Sequence, residues 1–444
     1  MDRRGRAGQP GFRHRDRGHR RVGLSALNRF VYARWVLIME SSPPGIIVGE
    51  EGQNYRWYIL TLVVLTCMFV IAIPLMGVSV LAKEIADDLS LNLVQVGVIW
   101  SVGALLGIVT SLLGGAIGDR FGPRRVLVAS TLLAGLLGAA RGLADGFLSL
   151  TILMALLGGV IPVVLTNVLK VLGQWFPPRQ LGFANGAQSM SMALGFMLGS
   201  LLSATTFSPL LGGWRNVLIV YGLIGAAFSI PWFFTRTSAA HEPAGEALSV
   251  REALRHVAGL KNVWLLGIGF FGVGGAVQGA LGYLPLYLRG QDWPPLQADG
   301  ALSAFHTISM LLVMPIALWS DRLKARKPLL LAASLMIASG LGLLSFVSGG
   351  LVWAAVLLAG SVRDGFMAIF FTMIIETKHV GPLYAGSAIG FTLALNSIGN
   401  LIAPPAGNSL AVLWPGAPFA FWSLLAVFGF ICLSSVKEAV RPRM

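Results

Sequence analysis

The chain has 444 residues, of which 55% are hydrophobic and only 12% charged. A soluble domain carries about 25% charged residues, so the composition excludes a water-soluble globular fold and makes lipid the solvent. The net charge of +14 does not mark a nucleic-acid-binding protein, because residues 1–38 alone hold ten Arg against two Asp.

That basic tail has no helical periodicity. Its composition suits an Arg-rich targeting peptide or a patch for nucleic acid or anionic lipid. The reading preferred here is that translation starts at Met39, just before a short polar lead into the first apolar run. Cys67 and Cys432 both fall inside apolar runs and read as small core residues, not as a disulfide.

A membrane-spanning helix needs about 20 mainly apolar residues. Twelve segments qualify: 57–81, 93–117, 124–143, 147–175, 181–205, 215–235, 263–287, 297–319, 327–347, 351–375, 384–411 and 415–435. The polar stretch 236–262 divides them six and six. The expected organisation is a tail at 1–54, a first half at 55–235, a central loop at 236–262, a second half at 263–435 and a short tail at 436–444. The fold class is therefore all-α and integral to the membrane, with two pseudo-symmetric six-helix halves.

Orientation follows from the loops, since cytoplasmic loops carry an excess of Lys and Arg. With both termini inside, only Lys83, Arg141, Arg215 and Arg289 fall in outer segments, out of 33 Lys and Arg in the chain. The expected location is the plasma membrane of a prokaryote, multi-pass, with both termini cytoplasmic.

Two charged turns recur in register. The first runs Gly115, Asp119, Arg120, Gly122, Arg124 and Arg125, between the second and third spans. The second keeps Asp321, Arg322, Arg326 and Lys327 between the eighth and ninth, with Ala317 and Lys324 where the glycines would be. Gly182-x-Ala184-x-Gly186 opens the fifth span and recurs as Gly386-x-Ala388-x-Gly390 in the eleventh. Gly213-Trp214-Arg215 precedes the sixth.

On these residues, the chain from 55 to 435 resembles the major facilitator superfamily. The resemblance implies a secondary transporter working by alternating access. It also implies that the two charged turns are cytoplasmic latches, broken as the halves rock. Without the family, the same turns read as topogenic positive-inside loops.

Ionisable groups deep in a membrane are costly and mark function by default. The sequence offers Lys170 in the fourth span, His306 in the eighth, and Arg363 with Asp364 in the tenth. Arg363 lies 12 residues past Leu351, about 18 Å along a helix at 1.5 Å per residue, near the midplane. The candidate substrate-binding residues are Arg363, His306, Lys170, Asn167, Gln278 and Asn396. Asp364 and His306 are the proton-coupling candidates, and Asp364 is read as the only deep carboxylate. Adjacent helical residues point about 100° apart, so Arg363 and Asp364 are not expected to pair. Bland alternatives stand beside each: snorkelling for Lys170, packing for His306, and helix-to-helix hydrogen bonds for the amides.

Net positive character in the cavity suits a small carboxylate-like anion, with protons as a candidate coupling ion. Multidrug or metabolite efflux is the alternative. Efflux members of the family carry a proline where Ser200 stands and an arginine where Met154 stands, and both departures count against it. The lead-ins Tyr55-Arg56-Trp57-Tyr58 and Trp175-Phe176-Pro177 look closer to the nitrate, cyanate and organic-anion porters. No enzyme constellation, metal site or cofactor motif is found, and the expected partners are lipid and a small molecule, with the chain a monomer. Pro74, Pro162, Pro285, Pro404 and Pro405 are expected to bend their helices.

Overall fold

The computed structural model describes residues 50–236, 250–323 and 326–437. The basic tail and its preferred start at Met39 lie outside these residues. Twelve helices among them are long and apolar enough to cross a membrane. In chain order they are α1 (Asn54–Val80), α2 (Leu93–Ser111), α3 (Pro123–Leu143), α4 (Phe147–Trp175), α5 (Gln180–Leu211) and α6 (Trp214–Phe234). The second six are α7 (Lys261–Gly290), α8 (Pro295–Ser320), α9 (Arg326–Leu344), α10 (Leu351–Glu376), α11 (Tyr384–Val412) and α12 (Ala417–Ser434). Each matches a span expected from the sequence. The fifth runs on to Leu211, through a π-helical turn at Ser203–Phe207.

The central stretch holds a short helix, Val250–Ala258. A ring nitrogen of its His256 lies 2.9 Å from the His379 carbonyl, and the imidazole stacks on Tyr384 at 4.1 Å. This helix is therefore tied to the second half.

Proline positions explain the local irregularities. A proline in a helix interior removes one hydrogen bond and clashes with the carbonyl four residues back. In α1 the segment just before Pro74, Cys67–Ala72, winds as a π-helix. The wider turn moves that carbonyl aside. The π turn of α5 likewise precedes Pro209.

Small residues set the packing within each half, as lipid requires when no hydrophobic force draws helices together. In the first half, α2 and α4 meet at Gly103 and Gly158, and α3 and α6 meet at Gly135 and Ala226. In the second, the backbones of α7 and α11 touch at Gly275 and Gly399. Gly122, at φ +82°, makes the turn between α2 and α3, a conformation that glycine adopts without strain.

The two ends of the bundle differ. Call the end bearing Arg120, Arg124 and Arg125 basic, and the other distal. Toward the distal end the halves are joined. Ser79 Oγ donates to the Leu281 carbonyl at 2.5 Å, Trp100 Nε1 to Gln278 at 2.8 Å and Asn408 Nδ2 to Leu93 at 2.8 Å. Gly97 lies against the Pro405 backbone and Gly282 against the Trp100 indole, so closely that neither leaves room for a Cβ. At the basic end, by contrast, Gly182, Gly186 and Gly386 face open space. The repeated glycines that open α5 and α11 are thus uncovered while the distal seam is shut.

Candidate functional site

Three of the six binding candidates come together. A cavity of about 420 Å³, counting its open mouth, is lined from α7 by Phe270, Val273, Gly274, Val277 and Gln278, and from α9 by Ile337. Arg363, Phe366 and Met367 of α10 and Asn396 and Asn400 of α11 complete it. Helical spacing brings these residues to one wall. Phe270, Gly274 and Val277 are four and three apart, Phe366 and Met367 lie three and four residues past Arg363, and Asn396 and Asn400 are one turn apart.

The cavity has two characters. Phe270 packs against Phe366 at 6.2 Å and against Phe370 at 4.5 Å. The Arg363 guanidinium and the amides of Gln278, Asn396 and Asn400 supply the polar part of the lining. The Oδ1 atoms of Asn396 and Asn400 are buried without a hydrogen-bond partner. Unsatisfied buried acceptors cost free energy, so each asks for a physical reason. Gly274 lets α7 approach Asn396, whose Oδ1 fills the space a Cβ would take.

Arg363 and Asp364 form an ion pair, which corrects the expectation that neighbours on a helix cannot meet. The helix is interrupted between them and what precedes. One segment ends at Ser361, Val362 sits at φ −112° and ψ −4°, and a new helix starts at Arg363. In this first turn the long guanidinium folds onto the carboxylate of the next residue. The Asp364 N–H donates to Ser309 Oγ of α8 at 3.1 Å. The pair keeps 28% and 22% of its side-chain surface exposed, so Arg363 has donors left for a ligand.

The other candidates lie elsewhere. Asn167 is buried and its Nδ2 donates to the carbonyls of Gly114 at 3.0 Å and Val163 at 2.8 Å. It fastens α4 to the continuation of α2, which stays helical to Phe121, and this is the bland alternative. Lys170 pairs with Asp119 at 2.5 Å and bonds the Gly115 carbonyl; it is not among the residues lining this cavity. His306 is 2% exposed, sandwiched by Phe305 of its own helix and Phe196 of α5, with Nε2 unpartnered.

In the first charged turn, Arg124 donates to the Phe233 carbonyl and Arg120 lies over the Phe121 ring, while Arg125 is exposed. In the second, Arg326 pairs with Glu376 at 2.8 Å and Lys327 donates to the Val436 carbonyl at 2.7 Å. Arg322 is exposed, and the Asp321 side chain lies outside the described residues. The partners named for both turns belong to the half that carries the turn.

A second buried carboxylate lies near the distal end of α8. Asp299 of α8 is fully buried and bound to Arg289 of α7, whose side chain is 8% exposed. Arg141 is also buried, at 1%, with Nε on the Gly138 carbonyl, Nη1 on Met154 Sδ and Nη2 unpartnered. Both arginines read as outer-loop charges in the sequence. The structure extends α7 three residues past its expected end, and that extension carries Arg289 into the packed bundle.

Comparison with known proteins agrees with this architecture. A family model described as Major Facilitator Superfamily matches residues 64–404. The 3-(3-hydroxy-phenyl)propionate transporter of Escherichia coli K12 is 28% identical over 380 residues, covering 83% of this chain and 92% of its own. A probable nitrate/nitrite transporter, NarK2, of Mycobacterium tuberculosis is 25% identical over 73% of this chain and 82% of its own. A probable L-galactonate transporter of E. coli K12 is 26% identical over 73% and 75%. Among solved structures, a bacterial homolog of the human lysosomal transporter Spinster superposes with a TM-score of 0.72. It is 17% identical and covers 86% of this chain and 98% of its own.

Proposed function

The chain belongs to the major facilitator superfamily, and we propose that it carries a small organic anion, a carboxylate with an apolar and preferably aromatic body, by alternating access. One observation carries the reading. The Arg363 guanidinium shares a cavity lining with the apolar side chains of Phe270, Phe366, Val273 and Val277. Arg binds a carboxylate bidentately and stays charged at any physiological pH. The phenylalanine faces suit a ring, and aromatic pairs add about 0.5–1.5 kcal/mol beyond simple burial. The amides of Asn396 and Asn400 line the same cavity and would hydrogen-bond a hydroxyl on that ring, the Asn396 amide turning from Gly274 to do so.

The relatives bring a hydroxyphenyl acid, an inorganic anion and a sugar acid into view. A sugar acid presents polar groups on all sides and would leave several unpaired against this apolar wall, a loss of the kind that discriminates strongly. Nitrate would leave the wall unused. The efflux alternative asks for a cavity that welcomes lipophilic cations, and Arg363 opposes them.

The basic end is assigned to the cytoplasm by the positive-inside rule, in a prokaryotic plasma membrane and in a monomer. The conformation described is then the inward-facing one. Its open glycine faces on α5 and α11 are the surfaces that would close in the other half of the cycle. The two charged turns would act as latches there, with Asp119 leaving Lys170 for a partner across the seam.

A thermal-shift panel of 3-phenylpropionate, its 3-hydroxy derivative, glucuronate, nitrate and tetraphenylphosphonium tests the reading. A ligand that binds the folded state alone raises the melting temperature with concentration. Shifts with the aryl acids, lost in Arg363→Gln, support it. Shifts with tetraphenylphosphonium alone would replace it with efflux.

A further inference from the structure

Arg289 and Asp299 form a buried ion pair that the substrate cavity does not use. Asp299 Oδ2 accepts from Arg289 Nη2 at 2.5 Å. Oδ1 of the same carboxylate is buried without a partner, and so is Arg289 Nε. A half-satisfied buried ion pair is a poor way to hold two helices together, and apolar residues of the same volume commonly do as well or better. Its presence therefore asks for a role other than packing.

Its place in the bundle suggests one. Ser303, one turn further along α8, donates to the Met197 carbonyl of α5 across the two halves at 3.2 Å. The pair lies on the distal side of that contact, so opening the distal seam would bring water to Asp299 and closing it would remove water again. Asp299, Ser303 and His306 fall within about 60° of one another around α8, at 100° per residue. A further turn on, Ser309 holds Asp364 beside Arg363. Asp299 is thus the distal end of a buried polar row that finishes at the cavity.

The charged groups around it are few. From α7 it meets Arg289. The short helix Ala82–Asp88 packs on α7 and carries Glu84, which accepts from Ser208 Oγ at 2.5 Å. On the same short helix Asp88 is paired with Arg215 and Asp87 with Lys83. Asp292 in the α7–α8 connection is exposed. The distal turns of α5 and the first turns of α10, which also pack on α8, carry no charged side chain.

We propose that Asp299 is a proton-binding site loaded from the distal side, with Arg289 as the counter-charge that empties it. With the distal seam open, a hydronium ion gives a proton to the carboxylate, its own O–H bond breaking as the carboxyl O–H forms, and Arg289 turns its charge to the water. When the seam closes, Arg289 is returned to the dehydrated pair, the carboxyl O–H bond breaks, and the proton passes to the unpartnered Nε2 of His306, two turns further along α8. One proton enters from hydronium, and one N–H bond forms as one O–H bond breaks. The idea depends on the rocking of the two halves proposed above but not on the identity of the cargo.

The test uses full-length protein in liposomes adsorbed on a supported membrane, with the bath acidified and no organic anion present. The wild type is expected to give a transient charge displacement. It should fall at least tenfold in Asp299→Asn, and also in the double variant Arg289→Gln with Asp299→Asn. The double variant removes both charges and leaves no lone ion to unfold the protein. Asp87→Asn, an exposed carboxylate at the same end, should leave the transient unchanged. An undiminished transient in the folded double variant overturns the proposal. Because no substrate is added, failure here is separable from failure of the anion reading.

Discussion

Gly282→Ala probes the distal seam most sharply. A Cβ at 282 meets Cδ1, Nε1 and Cγ of Trp100, a side chain only 6% exposed whose Nε1 donates to Gln278 at 2.8 Å. Overpacking of a tight core costs about 1–3 kcal/mol, and displacing the indole forfeits a hydrogen bond worth about 1 kcal/mol. The combined penalty, about 2–4 kcal/mol, falls on the distal-closed conformation alone, because Trp100 and Gly282 belong to different halves. At 1.4 kcal/mol per tenfold, the open population should rise roughly 30- to 700-fold. The assay is the labelling rate of a cysteine placed at Ala82, which lines the same seam with 5% exposure. A membrane-impermeant maleimide is used, in a Cys67→Ala, Cys432→Ala background. Labelling should accelerate at least tenfold. If the melting temperature drops while labelling is unchanged, Gly282 packs alike in both conformations and the rocking argument fails.

Other substitutions separate the roles assigned above. Gly186→Leu faces open space here, so the melting temperature should stay within a degree or two while transport falls at least tenfold; normal transport would mean that α5 does not close against its neighbour. Asn167→Leu should cost about 1–3 kcal/mol of stability through the orphaned Gly114 carbonyl, with ligand affinity unchanged; an affinity loss in folded protein would return Asn167 to the binding site. Lys170→Met breaks an ion pair whose Asp119 partner is 73% exposed, so the melting temperature should barely move. Its turnover should change because Asp119 is freed for the opposite half, and unaltered turnover would reduce the charged turn to a topogenic loop.

The spans were legible because lipid disfavours charge so strongly that a charge-free apolar run of about 20 residues is the mark of a helix crossing it. The doubled turns and glycine pairs revealed the two halves because each recurs at the same place in its half. The cavity was only partly legible. Arg363, Gln278 and Asn396 stand out as polar residues in apolar helices, but the aromatic wall of Phe270 and Phe366 looks like any other core from sequence. Which way Arg363 points depends on the break at Val362, just after the pair Gly360-Ser361, and small residues in membrane helices more often serve close packing than a break. Arg289 was misread as a loop charge, and Asp299 was passed over, because both sit near helix ends. Three extra residues on α7, about 4.5 Å of helix, separate a loop charge from a buried one.

The central claim is carriage of an aryl carboxylate through the Arg363 cavity. It is tested most directly by uptake of radiolabelled 3-phenylpropionate into liposomes reconstituted with the wild type, with Arg363→Lys and with the paired variant Arg363→Gln, Asp364→Asn. The wild type should accumulate the label and be inhibited by the 3-hydroxy derivative more strongly than by glucuronate. Arg363→Lys should lose most of the uptake because a point charge cannot replace the bidentate fork, and the paired variant should lose all of it. Uptake at the wild-type rate in the paired variant would contradict the account.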